Sequence, residues 1–157
     1  MNAVEEIGKR AKLVTSDVAN LSVDIRNQIL LDMSSALVAN WQEIVAANKK
    51  DLDAATQLSG PMRNRLTLDQ KTIGGIAASL SAVAKLADPL AGPYDNWKNH
   101  TGFKIVKKTV PLGVVAMIFE ARPNVTVDAA ALTFKSGNAV ILRGGKEAIE
   151  SNIILTN

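Results

Sequence analysis

The sequence predicts an α/β fold in which N-terminal helices lead into the first strand–helix–strand part of a parallel sheet. Three observations carry this. Apolar residues recur at helical spacing through the first 87 or so residues. The run GVVAMIF at 113–119 is continuously apolar, as in a parallel strand covered on both faces. A second apolar, β-branched stretch at 138–142 runs into Gly144-Gly145, a glycine turn that opens a further helix.

The elements follow in order. Val4, Ile7, Ala11 and Val14 share one face of a first helix. Ser22 is placed to cap a second, with an inward stripe of Ile25, Ile29, Leu30, Met33 and Leu37. Asn40 followed by Glu43 has the spacing of a capping box for a third helix. That helix carries Trp41, Ile44, Val45, Leu52 and Leu58, and Gly60-Pro61 is expected to stop it. A fourth spans about 69–86, with Ile73, Ile76, Leu80, Val83 and Leu86 inward and Asp88-Pro89 ending it. Gly74-Gly75 inside it costs about 1 kcal/mol per glycine relative to alanine, so close backbone packing is expected there. Residues 1–87 are thus helical. Residues 88–110 comprise a connector over 88–101, with Pro89, Gly92, Pro93 and Asn96, and an exposed strand pair or edge strand from Phe103 to Val110. Residues 111–157 form a βαβα unit: the 113–119 strand, a crossover helix over 126–135, the 138–142 strand, and a helix from near Lys146.

Bulk properties narrow the classes. Hydrophobic residues make up 47% and charged residues 21%, a globular balance. No apolar run reaches the ~18 residues of a membrane helix, and the start MNAVEEIGKRAKLV lacks the apolar core of a secretory signal. The expected compartment is the cytoplasm, with no membrane partner. Cysteine is absent, which removes disulfides, thiolate metal sites and a thiol nucleophile, and no metal site is expected. A net charge of +3 suits an anionic ligand without demanding nucleic acid.

Two segments carry candidate chemistry, and both fall at the carboxyl edge of the sheet, where ligands of open α/β sheets bind. Arg143-Gly144-Gly145-Lys146 follows the second strand. Glycines let a phosphate approach the backbone, the helix N-terminus offers free N–H groups, and Arg143 and Lys146 add positive charge. A tight turn flanked by two solvated cations accounts for the same residues. Glu120-Ala121-Arg122-Pro123-Asn124 follows the first strand. Asn124 has an amide N–H to offer an oxyanion, or it caps the next helix. Lys135-Ser136-Gly137-Asn138 reads as structural, with Gly137 ending the crossover helix in the left-handed region. Lys104, Lys107 and Lys108 read as a solvated strand face, and the lone His100 has no partner in view.

The run VPLGVVAMIFEARPNVTVDAAALTFKSGNAVILRGGKEAIESN, residues 110–152, resembles the signature region of the γ-glutamyl phosphate reductases (glutamate-5-semialdehyde dehydrogenases) of the aldehyde dehydrogenase superfamily. Ala47-Asn48, Asp51-Leu52 and Leu86-Ala87-Asp88-Pro89 extend the likeness through the N-terminal helices. Asn64-Arg65-Leu66 departs from an expected Asp-Arg-Leu. The resemblance implies an aldehyde dehydrogenase-like, Rossmann-like sheet, here incomplete, and a chain that is the N-terminal part of the NADP-binding domain. The catalytic domain and its cysteine would lie outside it. It implies the reduction of L-glutamyl 5-phosphate by NADPH, in which a thiolate displaces phosphate and the thioester is reduced to glutamate 5-semialdehyde, in proline biosynthesis. It further implies that Arg143, Gly144, Gly145 and Lys146 align with the superfamily's ribose-binding tetrad. With lysine at the acid position, the preference is for NADP over NAD. Glu120 and Ala121 join the cofactor site, Asn124 aligns with an oxyanion donor, and Arg122 meets the substrate's carboxylate or phosphate. The intact enzyme is expected to be a homo-oligomer. Two other classes fit: another acyl-phosphate or acyl-CoA reductase of the superfamily, or a non-catalytic nucleotide-binding or dimerisation module. With two strands and a short last helix, Ile149, Ile153 and Leu155 are expected to lack a packing surface.

Overall fold

The computed structural model describes residues 2–157. Helices α1 (Ala3–Leu13), α2 (Thr15–Asn20), α3 (Val23–Ala39), α4 (Trp41–Ala54), α5 (Gly60–Leu66) and α6 (Gln70–Lys85) precede an antiparallel hairpin of β1 (Asn96–Lys98) and β2 (Lys104–Val106). The parallel unit follows: β3 (Val114–Ile118), α7 (Pro123–Lys135) and β4 (Ala139–Arg143), then a 3-10 turn over Lys146–Ala148 and α8 (Ile149–Ile154). The mixed α/β order is the expected one, with six helices rather than four ahead of the hairpin among the described residues.

The helix starts show which sequence signals hold. Ser22 accepts the Ile25 N–H at 3.3 Å at the head of α3, and Asp69 accepts that of Thr72 at 2.7 Å at the head of α6. Bonds from Thr72 hold the Asp69 carboxyl below the usual carboxylate range. The capping box at Asn40 does not form. Asn40 already closes α3, its amide donates back to Ala36 O at 2.9 Å, and its side chain makes no cap bond to α4. Gly60-Pro61 begins a helix instead of ending one, since proline in a first turn forfeits an N–H that has no helical partner anyway. Leu58 therefore lies in the turn between α4 and α5.

The core lies where α3, α4, α6 and α7 meet, around Leu30, Leu37, Ile44, Ile73, Leu80 and Val127. The buried face of α3 is Arg26, Leu30 and Leu37; Ile25 and Ile29 are exposed, so the expected stripe is rotated. Arg26 explains the rotation. Its guanidinium donates to Lys135 O at 2.6 Å and pairs with Asp88 at 2.8 Å, so this face must turn inward. Lys135 is buried too, donating from Nζ to Asn27 Oδ1 and, at 3.0 Å, to Ala84 O. Burial holds the Lys135 ammonium below the usual lysine range, and Asp88 opposes that shift. Asp88 thus does more than mark the end of α6. Val4 and Ile7, on the shared apolar face of α1, are exposed, as is Leu86 after α6, an expected inward residue.

Gly137 ends α7 with φ +75°, its N–H bonded to Phe134 O at 2.9 Å and that of Asn138 to Thr133 O at 3.0 Å. A Cβ there would also lie 2.8 Å from Leu90 Cδ1, a side-chain end that would have to shift, so the positive φ is the stronger demand for glycine. Asn138, buried, accepts the Gly113 N–H at 2.8 Å and ties the entry of β3 to that of β4.

Three expectations fail on packing grounds. β3 and β4 are not sealed on both faces: with two strands and few covering helices, Ile118 is 83% exposed. Leu155 does find a surface, packing with Ile154 against the helical core, whereas Ile149 and Ile153 remain half exposed. Gly74 and Gly75 face open space, with nothing within 4 Å of an added Cβ, so no close backbone packing offsets their cost. Gly75→Ala is therefore expected to raise stability by about 1 kcal/mol. Urea unfolding checks this; a lower midpoint would mean that the added methyl meets a surface.

The hairpin lies in the expected exposed region, though β1 starts inside the stretch read as connector. Trp97 faces Ile105 and Lys98 faces Lys104 across it, with every residue of both strands exposed. Lys108 lies over the Tyr94 ring, 5.6 Å from its centroid. No helix is long and apolar enough to cross a membrane among the described residues.

Candidate functional site at the carboxyl edge of the sheet

The two candidate segments meet. Parallel pairing of β3 with β4 sets Ile118 opposite Arg143, and the Phe119 N–H continues the ladder to Arg143 O at 3.0 Å. The chain leaves both strands at the same edge. A Cβ on Gly145 would lie 3.0 Å from the backbone nitrogen of Ala121 and 2.9 Å from Glu147 Oε2, so the glycine is what lets the loops touch. At Gly144 a Cβ would collide with the Asn152 amide. The Asn152 oxygen in turn accepts the Thr126 hydroxyl at 2.7 Å.

The helix N-terminus after this turn is not free, contrary to expectation. Asp51, buried on α4, accepts Glu150 N–H at 3.0 Å, Ser151 N–H at 2.8 Å and the Ser151 hydroxyl at 2.6 Å. A carboxylate from a distant helix thus fills the position where a phosphate would sit at the head of α8. Asn48, one turn earlier, donates to Ser151 Oγ at 3.0 Å and to Leu66 O at 2.8 Å, and accepts Leu68 N–H at 2.8 Å. Together Asn48 and Asp51 tie α4, the end of α5 and the start of α8 into one hydrogen-bonded unit.

The charged residues separate around the turn. Arg143 folds its guanidinium back onto Gly144 O. Lys146 borders a cavity of about 610 Å³ with Lys50 and Glu150, on the α4 side. Arg122, Glu120, Ala121 and Gly145 border a second cavity of about 360 Å³, joined by Glu147 and by Arg65 of α5. Asn124 is not a cap: Arg122 holds the N-cap position and Pro123 leads the first turn. The Asn124 amide instead donates to Asp128 at 3.2 Å, one turn along α7, its second N–H having no partner among the described residues. Asn48, Asp51, Ser151, Arg65 and Glu147 were not read as site residues from the sequence. Asn48 and Asp51 carried a usable signal, being polar residues on the same helical stripe as buried Ile44.

The fold is that of a mixed α/β protein built on a parallel βαβ unit, with both candidate segments at the carboxyl ends of its strands. No model of a known protein family matches the chain. Among curated proteins it is 99% identical over 157 residues to the γ-glutamyl phosphate reductase of Leuconostoc mesenteroides, covering all of this chain and 38% of that protein. It is 64% identical over 156 residues to that of Leuconostoc citreum, covering 99% of this chain and 38% of the relative. The chain therefore spans about 38% of the length of the curated relatives it matches. The crystal structure of γ-glutamyl phosphate reductase from Thermotoga maritima superposes with a TM-score of 0.92 at 30% identity, over 98% of this chain and 38% of that one. The Saccharomyces cerevisiae enzyme gives 0.91 at 34% identity, over 99% and 40%. Over this stretch the sequence and fold are those of the N-terminal part of the γ-glutamyl phosphate reductase family.

Proposed function

We propose that the full-length protein reduces L-glutamyl 5-phosphate to L-glutamate 5-semialdehyde with NADPH, releasing phosphate, as the second step of proline biosynthesis. The observation that carries this is the meeting of the Gly144-Gly145 turn with the Glu120–Asn124 loop at one sheet edge, in a chain with the relatives named above. The residues suit a dinucleotide. Gly145 and Ala121 share the border of one cavity, and both cations and carboxylates line it and the adjoining one. When bound, NADPH supplies the hydride.

In this reading residues 1–157 are the N-terminal part of the cofactor domain, in a cytoplasmic homo-oligomer. Glu120, Ala121, Gly144 and Gly145 approach the nucleotide with their backbone, and Arg143 and Lys146 take its 2′-phosphate. Arg122 orients the substrate through its carboxylate or phosphate. Asn124, steadied by Asp128, donates its free N–H to the oxyanion that forms at the substrate carbonyl. The chain has no cysteine, so the nucleophile belongs to another part of the protein.

Lys146→Glu in the full-length protein tests the cofactor assignment. It is expected to weaken NADP by roughly tenfold or more, the worth of a charge-assisted hydrogen bond, with a much smaller effect on NAD. An unchanged NADP/NAD preference would remove Lys146 from the site. Absence of NADPH oxidation with glutamyl phosphate in the wild type would overturn the proposed reaction.

A further inference from the structure

The cavity between the two loops has a third wall that the cofactor reading does not use. Helix α5 brings Arg65 to it, in a lining shared with Arg122, Glu147 and Gly145. The backbone on either side of Arg65 is held in place, while its side chain is exposed. Leu66, the next residue, is fully buried, and its carbonyl accepts from Asn48, which also binds the Leu68 N–H. Asn48 is bonded in turn to Ser151, and Ser151 to Asp51, which closes the head of α8 just after the glycine turn. One polar chain therefore fixes α5 and the Gly145 turn relative to each other. Arg63, one turn away from Thr67, donates its guanidinium to Leu52 O at 2.8 Å. Arg65 and Arg122 spend theirs on no protein partner among the described residues.

The charges bordering the cavity point to a ligand class. Two arginines share the lining with two glutamates, Glu120 and Glu147, so the space is not a general anion trap. It suits a molecule that offers phosphate oxygens to guanidinium donors and hydroxyls to carboxylate acceptors, as a nucleotide does. We propose that Arg65 is a further nucleotide-binding residue, gripping a phosphate of the dinucleotide as it passes over Gly145, with Glu147 accepting from a ribose hydroxyl. This rests on the cofactor reading above and adds to it a helix outside the βαβ unit.

The test uses the full-length protein with Arg65→Gln and Arg65→Lys. NADPH and NADH affinities are measured by nucleotide fluorescence and the fold by the unfolding midpoint. Arg65→Gln is expected to weaken NADPH by roughly ten- to a hundredfold, the range for a lost hydrogen bond to a charged group, with the midpoint unchanged. Arg65→Lys is expected to fall between, because an ammonium lacks the planar fork; it also serves if the glutamine variant does not fold. Unchanged NADPH affinity in a folded variant overturns the inference. So does a rise in KM for glutamyl phosphate with nucleotide affinity intact, which would assign Arg65 to the substrate. If Lys146→Glu alters cofactor preference while Arg65→Gln alters neither affinity, Arg65 is excluded and the cofactor reading stands. A wild-type protein that binds neither nucleotide removes both.

Discussion

Asp51→Ala is expected to destabilise the protein by about 3 kcal/mol or more. Three donors lose their acceptor at once: Glu150 N–H, Ser151 N–H and the Ser151 hydroxyl. A buried donor left unsatisfied costs about 1–3 kcal/mol, and the two backbone groups belong to the first turn of α8, where no helical carbonyl substitutes. Asp51→Asn keeps an acceptor oxygen and is expected to lose less. Urea unfolding of the two variants against wild type is the measurement, and a loss below about 1 kcal/mol for alanine would mean that water replaces the carboxylate. The same variant loosens the turn holding Gly144 and Gly145, so nucleotide affinity is expected to fall with stability.

Asn124→Ala is expected to separate activity from stability. In the full-length protein kcat should fall by about 10²–10³-fold, the usual cost of removing one oxyanion donor. Stability should hardly move. The Asn124 side chain caps nothing, its bond to Asp128 is an i,i+4 pair worth about 0.2–0.5 kcal/mol, and alanine is the better helix former. Asp128→Ala leaves the amide in place but unsteadied, and a smaller drop in kcat is expected. Near-normal kcat in Asn124→Ala would remove the residue from the chemistry.

The fold was legible where one residue makes one local commitment. Ser22 and Asp69 cap helices, Gly137 takes a positive φ, and the 113–119 run makes a strand, because each outcome depends on neighbours within a few positions. Legibility failed where a residue serves two neighbours or answers a distant one. Asn40 closes one helix and so does not cap the next. Pro61 is compatible with either end of a helix, and only the tertiary context shows which. The face of α3 was misread because Arg26, a residue that patterning sends to solvent, is drawn inward by Asp88 and the Lys135 carbonyl. Of the candidate site, both loops and their shared edge could be read in advance. That Lys146 and Arg122 border different cavities could not, since it depends on how Gly145 meets Ala121 across the sheet edge.

The Asn48–Asp51 clamp also sets an order of events in time. Asp51 waits for a partner 100 residues downstream, and Asn48 for one 103 residues downstream. At translation rates of roughly 5–20 residues per second, the growing chain carries both for roughly 5–20 s before Ser151 is even synthesised. Asn48 meets Leu66 O and the Leu68 N–H 18 and 20 residues downstream, but the bonds to the Asp51 carboxylate come from residues 150 and 151, and desolvating a carboxylate without them is unfavourable. The Asp51 face of α4 is therefore expected to close over α8, and the glycine turn to settle, only once residues 150 and 151 have been added to the chain.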